Sequence, residues 1–172
     1  MATLRRFKAT DLFDLSLINL DPLTENYNIS FYLQYLSFWP DYNKILLSSA
    51  SVPMSYLLAK EEGKGEWWHG HVTAITTASL YRRQGLAKML MCELERIGDQ
   101  QDCYFIDLFV RSSNVLAIEM YKHLGYAVFR RVLDYYDDED AFDMRKSLKR
   151  DPNKTSMIPL ENPVHAHDLE VW

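Results

Sequence analysis

Hydrophobic and polar positions switch between two periods along this chain, and the switching lays out its elements before any motif is considered. Residues 3–7 predict a short first strand. Thr10 has the character of a helix N-cap with Asp11 in the first turn, and Leu12, Phe13, Leu17 and Ile18 follow at helical spacing until Asp21-Pro22 interrupts. Residues 31–39 carry Phe31, Tyr32, Leu33, Tyr35, Leu36, Phe38 and Trp39. A helix there is apolar nearly all round, which calls for burial on more than one side, in the domain's own core or beneath another chain. Residues 44–48 and 54–60 predict a strand pair, residues 61–66 a polar turn, and residues 67–77 the next strand.

A helix over 84–97 places Leu86, Leu90, Leu94 and Ile97 on one face, with Gly98-Asp99 as its stop. Residues 103–110 are a near-continuous apolar run broken at Asp107, the pattern of a central strand covered on both faces. Asn114 caps a short helix ending near Leu124, with Gly125 as its left-handed terminator. Residues 127–136 and the alternating stretch 141–148 flank an acidic turn and predict an antiparallel couple. From Lys149 onward periodicity is lost and Pro152, Pro159 and Pro163 recur. The expected organisation is therefore a folded domain over 1–149 and an extended or disordered tail over 150–172. The order β-α-α-β-β-β-α-β-α-β-β belongs to an α/β protein with a mixed, α+β-like sheet.

Composition narrows the class. The chain has 172 residues, 48% of them hydrophobic and 25% charged, enough apolar material for a real core. A net charge of −5 argues against general nucleic-acid binding but leaves room for a local anion site. No apolar run reaches membrane-spanning length. Cys92 and Cys103 have neither metal-ligand nor disulfide-framework spacing, and the polar N-terminus is no signal peptide, so a reducing intracellular compartment is expected.

The stretch with most chemical potential is Arg82-Arg83-Gln84-Gly85-Leu86-Ala87. It joins a predicted strand to a predicted helix. The first backbone N–H groups of a helix lack intrahelical partners and carry the positive end of its dipole, so they bind anionic oxygens. Gly85 and Ala87 leave the approach open, and Arg82 and Arg83 add donors. The pattern Arg-x-x-Gly-x-Ala suits a pyrophosphate cradle; it also suits a basic helix start with small residues for packing. It is neither a Walker loop nor a dinucleotide fingerprint.

A second set follows in order: Asn114, Ala117, Tyr121, Leu124, Gly125, Tyr126. Together the two sets resemble the GNAT superfamily of acyl-CoA-dependent N-acetyltransferases. The similarity is closer still to the catalytic subunits of NatB amino-terminal acetyltransferases. It is carried by Asn19-Leu-Asp-Pro-Leu-Thr-Glu-Asn-Tyr27, Phe31-Tyr-Leu-Gln-Tyr-Leu36, Trp68-His-Gly-His-Val-Thr-Ala74, Asp107-Leu-Phe-Val-Arg111 and Asp143-Met-Arg-Lys146. The chain departs from the pattern in a short turn at 61–66, in Ser55 where many GNAT strands carry glycine, and in Ala87 at the second glycine position.

The resemblance implies acetyl transfer from acetyl-CoA, with no metal, to the α-amine of proteins beginning Met-Asp, Met-Glu, Met-Asn or Met-Gln. It implies cofactor contacts from the backbone of Ile75, Thr76 and Thr77, from Arg82, Arg83, Gln84, Gly85, Leu86 and Ala87, and from Asn114. It implies peptide contacts from Glu25, Tyr27, Thr73, Tyr135 and Tyr136. An α-amine titrates near ~8, so a modest base suffices; His71, or a tyrosine acting through water, is the candidate. Tyr121 is the candidate acid for the departing thiolate, since a phenol near ~10 suits a thiol near ~8.5. Backbone N–H groups over 72–75 would steady the oxyanion. The expected partners are a large helical-repeat auxiliary subunit, nascent protein N-termini and, through that subunit, the ribosome, in the cytoplasm. Alternatives are a GNAT enzyme acting on lysine or small amines, and a non-catalytic GNAT-like interaction module.

Overall fold

In the computed structural model, which describes residues 2–22 and 24–169, the element order matches the α/β pattern. The chain divides into two units, Met1–Glu61 with Val72–Ile97 and Glu62–His71 with Gly98–Trp172.

In the first unit, β1 (Thr3–Arg6) pairs antiparallel with β2 (Lys44–Leu47), and β2 with β3 (Pro53–Glu62). With the later part of β4 (His69–Thr77), these strands run in the order β1-β2-β3-β4. The first predicted helix is instead a 3-10 segment, Ala9–Asp14, followed by the single turn α1 (Ser16–Asn19). The physical reason lies in Asp11 rather than Thr10. Its buried carboxylate accepts from the Lys8 N–H and from both Arg5 Nη atoms, at 2.8, 2.7 and 2.7 Å, and holds a tight turn.

The helix α2 (Ile29–Phe38) is capped by Asn28, whose Oδ1 accepts from the Phe31 N–H at 2.8 Å. At the other end, the buried Asn43 side chain donates to the carbonyls of Tyr35 and Trp39 and accepts from the Ala59 N–H. Tyr32 and Tyr35 enter a core of Phe7, Leu15, Ile18, Ile45, Tyr56 and Leu58. The opposite face stays exposed: Ile29 and Phe38 are 68% and 70% accessible.

The helix α3 (Leu86–Gln100) buries Leu86, Leu90, Leu94 and Ile97 as its period requires, and leaves Cys92 exposed. It does not stop at Gly98. A Cβ there would lie 2.7 Å from Leu148 Cδ1 and 3.0 Å from Ile106 Cδ1, so this glycine serves close packing inside the helix, not termination.

In the second unit the strand order is β5-β7-β6-β8. The ladder between β5 (Phe105–Arg111) and β7 (Ala141–Ser147) is antiparallel and unbroken from Phe105↔Ser147 to Arg111↔Ala141. β6 (Ala127–Leu133) pairs antiparallel with β7, with a register shift between Val128 and Arg130, and parallel with β8 (Val164–His165). The helix α4 (Val115–His123) starts at its Asn114 cap. It ends in a Schellman arrangement: Gly125 has φ +94°, its N–H reaches Lys122 O, the Tyr126 N–H reaches Tyr121 O, and the two tyrosine rings meet edge to face.

One expectation needs correction here. β6 ends at Leu133, where Asp134 turns with φ +53°, so Tyr135 and Tyr136 sit in a loop and not in a strand. The charged residues Asp143 and Arg145 of β7 are buried. Asp143 takes Arg145 Nε and Nη2 at 3.2 and 3.1 Å and Arg130 Nε at 3.0 Å, and the Arg145 guanidinium lies 3.5 Å from the Phe129 ring centre. After β7 the chain is held by Asp151, which binds Thr155 and Ser156, and by the Leu160 N–H donating to Phe129 O.

Candidate functional site

The first unit carries the candidate anion cradle. β4 ends at Thr77 and α3 begins at Leu86, two residues later than its period suggests, because Arg83 (φ +64°) and Gly85 (φ +77°) form a left-handed turn before it. A Cβ placed on Gly85 meets nothing within 4 Å. Glycine is therefore required by backbone conformation, and the space above it is open to a ligand. Gln84 and Gly85 are exposed, Ala87 is half-buried and Leu86 is buried, so Leu86 offers its backbone N–H rather than its side chain.

Arg82 is less free than a motif suggests. Its Nη2 binds Asp21 at 2.8 Å and its Nε donates to Thr77 O at 3.2 Å, so it braces the turn. Ser55 Oγ donates to Thr76 O at 2.7 Å and meets Thr77 Oγ1 at 2.8 Å. Its hydroxyl thus ties β3 to the end of β4. Ile75 lies in the same strand just before.

Peptide candidates converge in this unit as well. Tyr27 stacks on Phe31 with ring centres 4.4 Å apart, and its hydroxyl lies 3.5 Å from both Glu25 Oε2 and Thr73 O. The Thr73 hydroxyl meets Tyr35 OH at 2.7 Å. Glu25 is exposed.

In the second unit one face of β5 gathers the remaining candidates. Successive residues of a strand point to opposite faces, so Asp107, Phe109 and Arg111 point the same way. Asp107 Oδ1 accepts from His71 Nδ1 at 2.8 Å. The Phe109 ring lies 5.6 Å from that of His71 and stacks on Tyr135 at 4.6 Å. The Arg111 guanidinium lies 4.1 Å from the centre of Tyr136, while its Nη1 binds Asp138 and Glu139 at 2.7 and 3.1 Å. Glu139 also takes the N–H and hydroxyl of Ser113, next to the Asn114 cap. Tyr121 is buried; that burial, with Tyr136 nearby, pushes its phenol far above its usual titration range. Asp107, Phe109 and Arg111 escaped the sequence reading as site residues. The available signal was the charge of Asp107 inside an apolar strand.

Glu62, His69 and His71 each place a donor atom within 4.8 Å of the others, the one group of metal-ligand types found among the described residues. Two of the ring nitrogens already have other partners: the Trp67 carbonyl can only accept, so His69 Nδ1 donates to it, and His71 Nδ1 lies 2.8 Å from Asp107 Oδ1. Burial pushes His69 down, but Asp107, Glu62 and the Trp67 carbonyl more than reverse this, so it titrates above its ordinary value. Burial likewise pushes Asp107 up, and His69, His71 and Arg145 more than reverse it, holding the carboxyl well below the usual carboxylate range.

The acetyltransferase (GNAT) family pattern matches residues 17–126. The N-terminal acetyltransferase B complex catalytic subunit NAA20 of Arabidopsis thaliana is 53% identical over 172 residues, 99% of each chain. Its counterpart from Schizosaccharomyces pombe is 54% identical over 164 residues, 91% of each chain. Among solved structures, Chaetomium thermophilum Naa20 in complex with a bisubstrate analogue superposes with a TM-score of 0.88 at 38% identity, covering 95% of this chain and 96% of that one. The NatB acetyltransferase complex bound to a bisubstrate inhibitor superposes with a TM-score of 0.87 at 40% identity, covering 98% and 99%. With its fold, its motifs and its full length in agreement, this chain belongs to the GNAT acetyltransferases and, among them, to the family of NatB catalytic subunits.

Proposed function

We propose that this chain transfers acetyl from acetyl-CoA to the α-amine of proteins beginning Met-Asp, Met-Glu, Met-Asn or Met-Gln, as the catalytic subunit of a NatB-like complex. The observation that carries this reading is the gathering on β5, where His71, Phe109, Tyr135 and Tyr136 form one continuous set of rings. It puts an imidazole able to accept a proton beside aromatic surface suited to a methionine side chain.

His71 takes the proton of the ammonium, and Tyr121, kept protonated by burial, gives one to the departing thiolate. N–H groups over 72–75 steady the oxyanion. Arg83, Gln84, Gly85, Leu86 and Ala87 receive the pyrophosphate on open backbone, with Arg82 bracing the turn. Ile75, Thr76 and Thr77 run along the pantetheine arm. The carboxamide of Asn114, its oxygen engaged in the helix cap, donates to the cofactor. Glu25 neutralises the substrate's charged end, and Tyr27 and Thr73 line its path.

Phe13, Leu17, Leu20, Ile29, Leu33 and Phe38, all exposed, form the face for a large helical-repeat auxiliary subunit, which brings the enzyme to nascent chains at the ribosome in the cytoplasm. No helix among the described residues is long and apolar enough to cross a membrane. The test is an acetyl-transfer assay on a peptide panel. Met-Asp and Met-Glu peptides should react much faster than Met-Leu, Ser-initiated or internal-lysine peptides. Equal rates across the panel would overturn the NatB specificity, and a preference for lysine would favour the other GNAT reading.

A further inference from the structure

We infer that Asp107 is a positioning residue for this reaction: it fixes His71 in the tautomer that keeps Nε2 free to accept a proton. The inference rests on the reading of His71 as the base and deepens it.

Asp107 is buried on β5, and both of its oxygens face imidazoles. Oδ1 lies 2.8 Å from His71 Nδ1, and Oδ2 lies 3.5 Å from His69 Nε2. An ionised carboxylate can only accept hydrogen bonds, so the proton in the short contact belongs to His71 Nδ1. Neutral imidazole carries one N–H, which leaves the lone pair on Nε2.

His69 explains how a carboxylate survives there as an anion. Its Nδ1 donates to the Trp67 carbonyl, and its Nε2 lies between Glu62 Oε1 at 3.6 Å and Asp107 Oδ2 at 3.5 Å. A bare lone pair facing two carboxylates would be repelled, so Nε2 is protonated as well and His69 is an imidazolium. Its positive charge offsets the buried anions. Arg145, the other cation acting on Asp107, is committed to Asp143. A buried carboxylate behind an imidazole is a recurrent way of holding ring orientation and tautomer in proton-transfer sites. Here it is supplied by the one charged residue between Phe105 and Val110 of β5.

The experiment is a double-mutant cycle on the full-length enzyme, with kcat and KM measured for a Met-Asp peptide and for acetyl-CoA. Asp107→Asn should lower kcat on the order of 10²-fold with little change in either KM, and His71→Ala by at least as much. In the His71→Ala background, Asp107→Asn should cost almost nothing more, because the carboxylate acts through the ring that is gone. A merely structural Asp107 would cost the same in both backgrounds, and that additivity overturns the proposal. Unchanged kcat in Asp107→Asn alone does so too. Unchanged kcat in His71→Ala instead overturns the reading of His71 as base, a distinguishable failure. Long-range ¹H–¹⁵N correlation on the histidine-labelled wild-type chain decides independently of whether the variants fold. His71 should carry its proton on Nδ1; a proton on Nε2 alone rules the arrangement out.

Discussion

Tyr121 shows how one side chain's surroundings select its role. Burial opposes the phenolate, and the neighbouring Tyr136 adds to the effect, so the phenol stays protonated well above its usual titration range. Tyr121→Phe keeps the ring and its edge contact with Tyr126, which also secures the Schellman end of α4. We expect a fall in kcat of roughly 10²-fold or more, with peptide KM and thermal stability nearly unchanged. Wild-type kcat in steady-state assays would make Tyr121 a packing residue only. This residue was legible in the sequence because it sits inside a helix motif of fixed spacing. Asp107 was legible as an oddity, a charge in an apolar run. Phe109 and Arg111 were not, because their proximity to Tyr135 and Tyr136 exists only after β5 and β6 have found their places on either side of β7.

At the scale of elements, the loop between β6 and β7 is a clamped segment. Arg111 lies over Tyr136 and binds Asp138 and Glu139; Arg131 holds Asp140, which also accepts from the Asp134 N–H. Arg111→Ala should loosen Tyr135 and Tyr136, the proposed peptide contacts, while leaving the proposed cofactor turn at 82–87 untouched. The expectation is a peptide KM roughly 3- to 10-fold higher and an unchanged acetyl-CoA KM. An unchanged peptide KM would show that the loop keeps its shape without the clamp. Most element types were readable from period and caps, though not the 3-10 segment at Ala9–Asp14 or the end of β6, and three further features were not legible. Gly98 has the signature of a stop and is instead a point of close packing. The alternation in β7 does not reveal the buried ion cluster of Asp143, Arg145 and Arg130. Asn43, which closes α2 from outside the helix, has no periodic signature. Each depends on what packs from elsewhere in the chain, which local pattern does not encode.

On the scale of the whole molecule, the residues around α2 decide how the protein lives in solution. Phe13 at 87%, Leu20 at 82% and Phe38 at 70% accessibility are large apolar groups left wet while Tyr32 and Tyr35 are buried. Fully burying such a side chain contributes about 1.5–3 kcal/mol, so a partner covering several of them gains substantially. The isolated chain should self-associate at micromolar concentration and become a single species when co-expressed with its auxiliary subunit, as read by light scattering. A monodisperse, fully active monomer, unaffected by that subunit, would show that this face needs no cover.

The unbroken β5–β7 ladder has a further consequence, one for failure rather than for function. Side chains on a strand occupy discrete settings, two residues apart, and slippage by one residue would turn Asp107, Phe109 and Arg111 away together. Asp107 therefore cannot drift out of line with His71 by degrees. On heating, catalysis should survive fraying at the far end of the chain and then vanish abruptly, at the temperature where this one ladder gives way.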